Sequence, residues 1–65
     1  MDKILFTQLT VGSLVAYPSG RQNYLVSAAH ADYAVFKNAR TSEYTLVLKN
    51  SPKTPDYFYS IKNAA

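Results

Sequence analysis

The fold class follows from three runs of sequence: YLVSA at 24–28, YAVFK at 33–37 and YTLVLK at 44–49. Each run has the usual length of a β-strand and is rich in β-branched and aromatic residues. Turn-forming residues separate the runs, and no window of ten residues shows a helical apolar stripe. The chain is therefore predicted to be all-β.

Alternation within these runs predicts which side chains line the core, because successive residues of a strand point to opposite faces of the sheet. In the first run, Tyr24, Val26 and Ala28 share one face. In the third run, Tyr44 and Leu46 share one face. We expect both tyrosines to line the core beside their aliphatic neighbours.

Outward from these runs, residues 14–17 predict one further strand, and residues 1–8 an N-terminal strand or an extended arm. We expect at most one short helical turn near residues 55–59, because Thr54 can cap it and Pro55 suits its first position. Strands recurring every eight to twelve residues favour a small barrel of five strands, since closure removes the exposed edges of a sheet.

The opening LTVGSLVAY at 9–17, then PSG at 18–20 and YLV at 24–26, resembles the entry of Src-homology-3-like small β-barrels, including KOW-type and Tudor-like modules. Looser similarity continues through VFKN at 35–38 and EYTL at 43–46, and the family's closing turn and strand fall at 58–61. The resemblance implies a five-stranded barrel over residues 9–61. The basic-glycine loop of KOW modules and the aromatic cage of methyl-lysine readers are absent from the sequence.

Length and composition restrict the class of protein. A chain of 65 residues and 7.3 kDa is one small domain, residues 1–65, and its 48% apolar content excludes a disordered tail. The chain has no cysteine, which excludes disulfides, thiolate zinc sites and iron–sulfur clusters and indicates a reducing compartment, the cytoplasm. The apolar run at 4–6 is too short for a signal peptide or a membrane span.

Groups that carry out catalysis are sparse. His30 is the only histidine, and Asp32 is its nearest carboxylate in the sequence, without a nucleophile motif to complete a triad. Gly12 and Gly20 are too far apart for a phosphate-binding loop. We predict that the protein is not an enzyme and that it has no metal site and no cofactor.

Tyrosine is the unusual feature, with six in the chain, and a barrel this small cannot bury them all. Phe6, Phe36 and Phe58 are the better core candidates. Exposed tyrosine beside arginine or lysine is typical of protein hot spots and of nucleic-acid stacking surfaces, although tyrosine also caps the ends of barrels. The candidate partner-binding residues are Arg21, Tyr33, Arg40, Lys53, Tyr57 and Tyr59.

These features predict a binding module whose partner is another protein. In size, tyrosine content and lack of cysteine, the chain resembles the small accessory proteins with which phages block host machinery, which implies action in the host cytoplasm. The alternative is direct nucleic-acid binding, because the whole net charge of +3 lies in residues 37–65. Two further alternatives stay open, a homodimer that compensates for the small core and a small-molecule pocket.

Overall fold

A computed structural model of the protein describes residues 2–20 and 22–61. These residues form strands and one short 3-10 turn, Phe6–Gln8, so that the predicted all-β class is confirmed. The strands are Asp2–Leu5 (β1), Leu14–Ala16 (β2), Asn23–Ala29 (β3), Tyr33–Asn38 (β4), Tyr44–Leu48 (β5) and Tyr57–Ile61 (β6).

The six strands form one antiparallel sheet in the order β1-β6-β2-β3-β4-β5. Strands β2 to β5 form a meander, and β6 returns to lie between β1 and β2. The sheet is open, with β1 and β5 as its edges, where the sequence predicted a five-stranded barrel. The additional strand is the predicted N-terminal strand, which pairs from Asp2 opposite Ser60 to Leu5 opposite Tyr57.

The helical turn predicted near residues 55–59 is wrong, because residues 57–61 form β6. Tyr59 lies opposite Lys3 on one side and Ala16 on the other, so β6 is paired along both edges. Two flanking strands satisfy the main-chain groups of this segment better than a single helical turn would, and its aromatic residues favour a strand. The 3-10 turn lies earlier in the chain, where the side chain of Gln8 accepts a hydrogen bond from the Leu5 N–H at 3.0 Å.

The core contains the three phenylalanines that the sequence predicted. Phe36 and Phe58 are fully buried, and Phe6 is nearly so. The rings of Phe36, on β4, and Phe58, on β6, lie 5.3 Å apart although β3 and β2 separate these strands in the sheet. The sheet is therefore strongly curled, with its apolar side chains packed on the concave face.

Tyr17 and Tyr24 close one end of this core. Their rings lie 5.5 Å apart, and the Tyr17 ring also meets Phe36 and Phe58 edge-on. Tyr24 is half-buried against the core, which confirms the sequence prediction for this residue. Burial, reinforced by the neighbouring Tyr24, raises the pKa of the Tyr17 hydroxyl above its ordinary value of 10.0.

Two irregularities set the register around β3. The Gly12 N–H donates to the Val26 carbonyl, and the Val26 N–H donates to the Ser13 carbonyl. Two residues thus lie opposite one, as in a β-bulge, and the φ of +93° at Gly12 requires glycine there. A second irregularity falls between Val26 and Ala28 in the pairing of β3 with β4. Because of it, Ala29 and not the predicted Ala28 packs against the core.

No helix within residues 2–20 and 22–61 is both long and apolar enough to cross a membrane.

Phe36 gives the most direct test of the core. We expect Phe36→Ala to lower the free energy of unfolding by about 3–5 kcal/mol, since it removes a fully buried ring and its contacts with Tyr17 and Phe58. Urea unfolding followed by circular dichroism measures this. Val11→Ala is the matched control, because Val11 is 66% exposed and its loss should change stability by no more than about 0.5 kcal/mol. Equal effects of the two substitutions would contradict this description of the core.

The raised pKa of Tyr17 predicts that the fold loses stability at alkaline pH. The raised value means that the fold favours the neutral phenol, so this contribution is complete below pH 10.0 and is lost as pH rises through the folded-state pKa. We expect the thermal midpoint to fall above pH 10.0 and to fall less steeply in Tyr17→Phe, which cannot ionise. Identical alkaline profiles for the two proteins would exclude Tyr17 as the cause.

Candidate protein interface

Exposed apolar side chains concentrate on the convex surface of the β4–β5 hairpin. Tyr33, Tyr44, Leu46 and Leu48 are 39%, 65%, 60% and 50% exposed. Half-buried Val35 lies among them, opposite Leu46. We call these five residues the β4–β5 face. Large exposed apolar patches are uncommon on soluble monomeric proteins and are typical of interaction surfaces.

The core holds the β4–β5 face in its outward position. Ala34, Phe36 and Val47, which alternate with the residues of the face, are buried on the concave side. A slip of one residue in the pairing would expose these three side chains and bury the face. The face is thus a consequence of register and not of local mobility.

Ring contacts and a cation border the β4–β5 face. The ring of His30 stacks on Tyr33 with centroids 4.5 Å apart. The ammonium of Lys37 lies 5.9 Å from the centre of the Tyr44 ring, within the range of a cation–π interaction. One end of the face therefore combines an aromatic surface with a positive charge.

The loop that joins β4 to β5 is built around Asn38. Its side-chain oxygen accepts hydrogen bonds from the backbone N–H groups of Arg40 at 2.8 Å and Thr41 at 3.1 Å, and its side-chain nitrogen donates to Gln22. Ser42 has the left-handed φ of 65° that closes the loop. These contacts explain why a polar residue is buried here, and they place Arg40 at the tip of the hairpin.

A groove of about 330 Å³ runs beside the outer edge of β5. Residues 45–48 of β5 line it, together with Tyr17 and with Ser51 and Thr54 of the following turn. The Thr54 hydroxyl donates a 2.5 Å hydrogen bond to the Leu48 carbonyl, which attaches this turn to the end of the strand. Lys53 also lines the groove.

The predicted partner-binding residues occupy several regions. Tyr33 belongs to the β4–β5 face, Lys53 lines the neighbouring groove, and Arg40 lies exposed in the hairpin loop. Tyr57 and Tyr59 lie on β6, separated from β4 by β2 and β3. Arg21 lies outside the described residues.

Tyr57 and Tyr59 form a separate group with Lys3, which we call the tyrosine cluster. The two rings lie 5.6 Å apart, and the Lys3 ammonium is 4.7 Å from the centre of the Tyr57 ring. Hydrogen bonding and charge repulsion from the Tyr57 hydroxyl raise the pKa of Tyr59, and the charge of Lys3 partly offsets this. Both tyrosines are half-buried, so their rings are only partly free to contact a partner.

Sequence reasoning missed most of the β4–β5 face. It assigned Tyr44 and Leu46 to the core, which is wrong, because Val47 is the buried residue of β5. The run YTLVL has apolar side chains on both of its faces, so alternation alone does not tell the inner face from the outer one. The absence of charge along this run was the available signal that β5 carries an unusual surface.

Within the described part of the chain, histidine and carboxylate side chains do not gather into a group of three that could hold a metal ion. Comparison of the chain with models of protein families, with curated proteins and with solved structures finds no match.

Substitution of Asn38 tests whether its side-chain hydrogen bonds stabilise the loop between β4 and β5. We expect Asn38→Ala to lower the free energy of unfolding by about 1–2 kcal/mol, because it leaves two N–H groups and the Gln22 side chain without their partner. Asn50→Ala, at an exposed position of the next turn, is the control. Denaturant unfolding compares them, and a wild-type midpoint for Asn38→Ala would show that water replaces these contacts at no cost.

Proposed function

We propose that the protein is a non-enzymatic binding module that acts by occupying the surface of another protein, and that the β4–β5 face is its contact surface. The observation that supports this most is the concentration of four large exposed apolar side chains on one hairpin. Covering such a surface removes apolar area from water, and this is the main favourable term in protein association.

The composition of the face suits a protein partner. Tyr33 and Tyr44 are the kind of residue that dominates binding energy at interfaces, and Leu46 and Leu48 add apolar area beside them. Lys37 lies beside Tyr44 at the rim of the face, and Arg40 lies in the exposed hairpin loop next to it. Charge at a rim chiefly affects the rate and the specificity of association. A partner with an apolar centre and an acidic border fits this arrangement.

We place this module in the class of small phage-type inhibitors that block a host defence protein or a nucleic-acid-processing protein in the host cytoplasm. The basis is the size of the chain and its lack of cysteine, together with a surface suited to binding and not to catalysis. For the fold, we propose a Src-homology-3-like barrel. Its support is that β6, which corresponds to the closing strand of the resemblance, lies beside the opening strand β2, and that the sheet curls until Phe36 meets Phe58.

Capture from a bacterial lysate by the tagged chain tests the proposed function. We expect one dominant protein to be recovered, to be lost with Leu46→Asp, and to be retained with Val11→Asp. The control matches because Val11 is as exposed as Leu46 but lies in the turn before β2, away from the face. A charge in the centre of the contact should weaken binding at least about tenfold. Equal recovery by both variants would exclude the β4–β5 face.

The second candidate function is direct nucleic-acid binding, and the tyrosine cluster is the observation that favours it. A lysine beside two neighbouring rings matches the chemistry that stacks bases and contacts phosphates. Titration with single-stranded DNA at several salt concentrations separates the two candidates. Affinity that falls steeply with salt and is reduced by Lys3→Gln supports nucleic-acid binding, whereas absence of binding at low salt excludes it.

A further inference from the structure

The outer edge of β5 leaves main-chain hydrogen-bonding groups without a strand partner within the described residues. Two backbone hydrogen bonds show which residues pair within the hairpin. The Asn38 N–H donates to the Glu43 carbonyl at 2.8 Å, and the Lys49 N–H donates to the Asp32 carbonyl at 2.9 Å, so Glu43 and Lys49 direct their main-chain groups toward β4. Alternate residues of an antiparallel strand direct their main-chain groups to opposite sides. Tyr44, Leu46 and Leu48 therefore direct theirs away from β4, toward the open edge.

This edge lacks the features that usually protect edge strands. From Tyr44 to Leu48 there is no charged residue, proline or bulge. The opposite edge of the sheet, β1, is only four residues long and carries Asp2 and Lys3. Unpaired main-chain groups next to exposed apolar side chains make β5 a template on which another strand can add.

We infer that β5 pairs antiparallel with β5 of a second copy of this chain, with Leu46 opposite Leu46 across a two-fold axis. In this register Tyr44 of one copy lies opposite Leu48 of the other. The exposed side chains of β5 then form cross-strand pairs on the same convex surface. Such a self-complementary contact closes on itself and gives a dimer and not a fibre.

Charge complementarity supports this occupant and this register. Glu43 and Lys49, both exposed, flank the apolar part of β5 at its two ends. Antiparallel pairing centred on Leu46 brings Glu43 of each copy opposite Lys49 of the other, which forms two equivalent pairs of opposite charge. A shift of the register by two residues in either direction would leave both pairs unmade.

The turn after β5 limits how far the pairing can extend. The Leu48 carbonyl already accepts hydrogen bonds from the Ser51 N–H and from the Thr54 hydroxyl. The pairing therefore uses the N–H and C=O of Leu46, the C=O of Tyr44 and the N–H of Leu48, which makes four hydrogen bonds across the two-fold axis. Because the strands add edge to edge, the convex β4–β5 face stays open, and the dimer is compatible with the proposed function without depending on it.

The mass of the purified chain in solution, measured by light scattering during size-exclusion chromatography over a range of concentrations, tests the inference. We expect a species of twice the chain mass of 7.3 kDa that dissociates on dilution. Leu46→Lys should abolish it, since two lysines would meet at the axis, whereas Val11→Lys should leave it unchanged. Thermal unfolding of each variant verifies that it is folded. A mass of one chain at every concentration, or a dimer unaffected by Leu46→Lys, would overturn the inference.

Charge reversal and amide exchange test the register. We expect E43K to weaken the dimer about tenfold, and the double variant E43K/K49E to restore it, because the pairs then form with the charges exchanged. Exchange of the Leu46 and Leu48 amides should slow as the dimer forms, while that of Val47, already bonded to β4, should not change. Failure of the double variant to restore the dimer, or fast exchange of these two amides within it, would reject edge pairing. These measurements use the pure chain. A chain that is monomeric in them but still captures a lysate protein would disprove the dimer and leave the proposed function standing.

Discussion

The contact between the rings of Phe36 and Phe58 sets the curvature of the whole sheet. These two rings come from strands that are not neighbours in the sheet, and their packing at 5.3 Å requires the sheet to curl. Curling forms a concave side that Phe6, Leu9 and Val15 fill, and a convex side that they leave uncovered. A chain of 65 residues has few other means of building a core, since it has no cysteine and its described residues include a single 3-10 turn and no longer helix.

The exposed surface follows from the same constraint. Once Phe36 and Ala34 point inward from β4, Tyr33 and Val35 must point outward, and pairing with β5 fixes Leu46 and Leu48 beside them. The sequence has apolar residues on both faces of this hairpin, but the small core accommodates only one of the two sets. The second set therefore stays at the surface as an exposed apolar patch.

The outer edge of β5 and the β4–β5 face differ in the kind of contact that they offer. The edge of β5 offers main-chain hydrogen bonds in the plane of the sheet, and the β4–β5 face offers apolar area perpendicular to it. A strand added along the edge extends the face instead of covering it. In the proposed dimer, the face of each copy joins that of the other into one convex surface.

Strand periodicity and ring hydrophobicity act locally, so the all-β class, the positions of four strands and the burial of the three phenylalanines could be predicted from the sequence. Local signals favoured a helical turn near residues 55–59, and only the family resemblance implied a closing strand at 58–61. Residues 57–61 extend as β6 because they pair with β1 and β2, which come from distant parts of the chain. The tertiary structure also decided that Ala29 replaces Ala28 at the core, and that Tyr44 and Leu46 face outward. Alternation defines two faces of a strand, but only packing against the other strands selects the face that is buried.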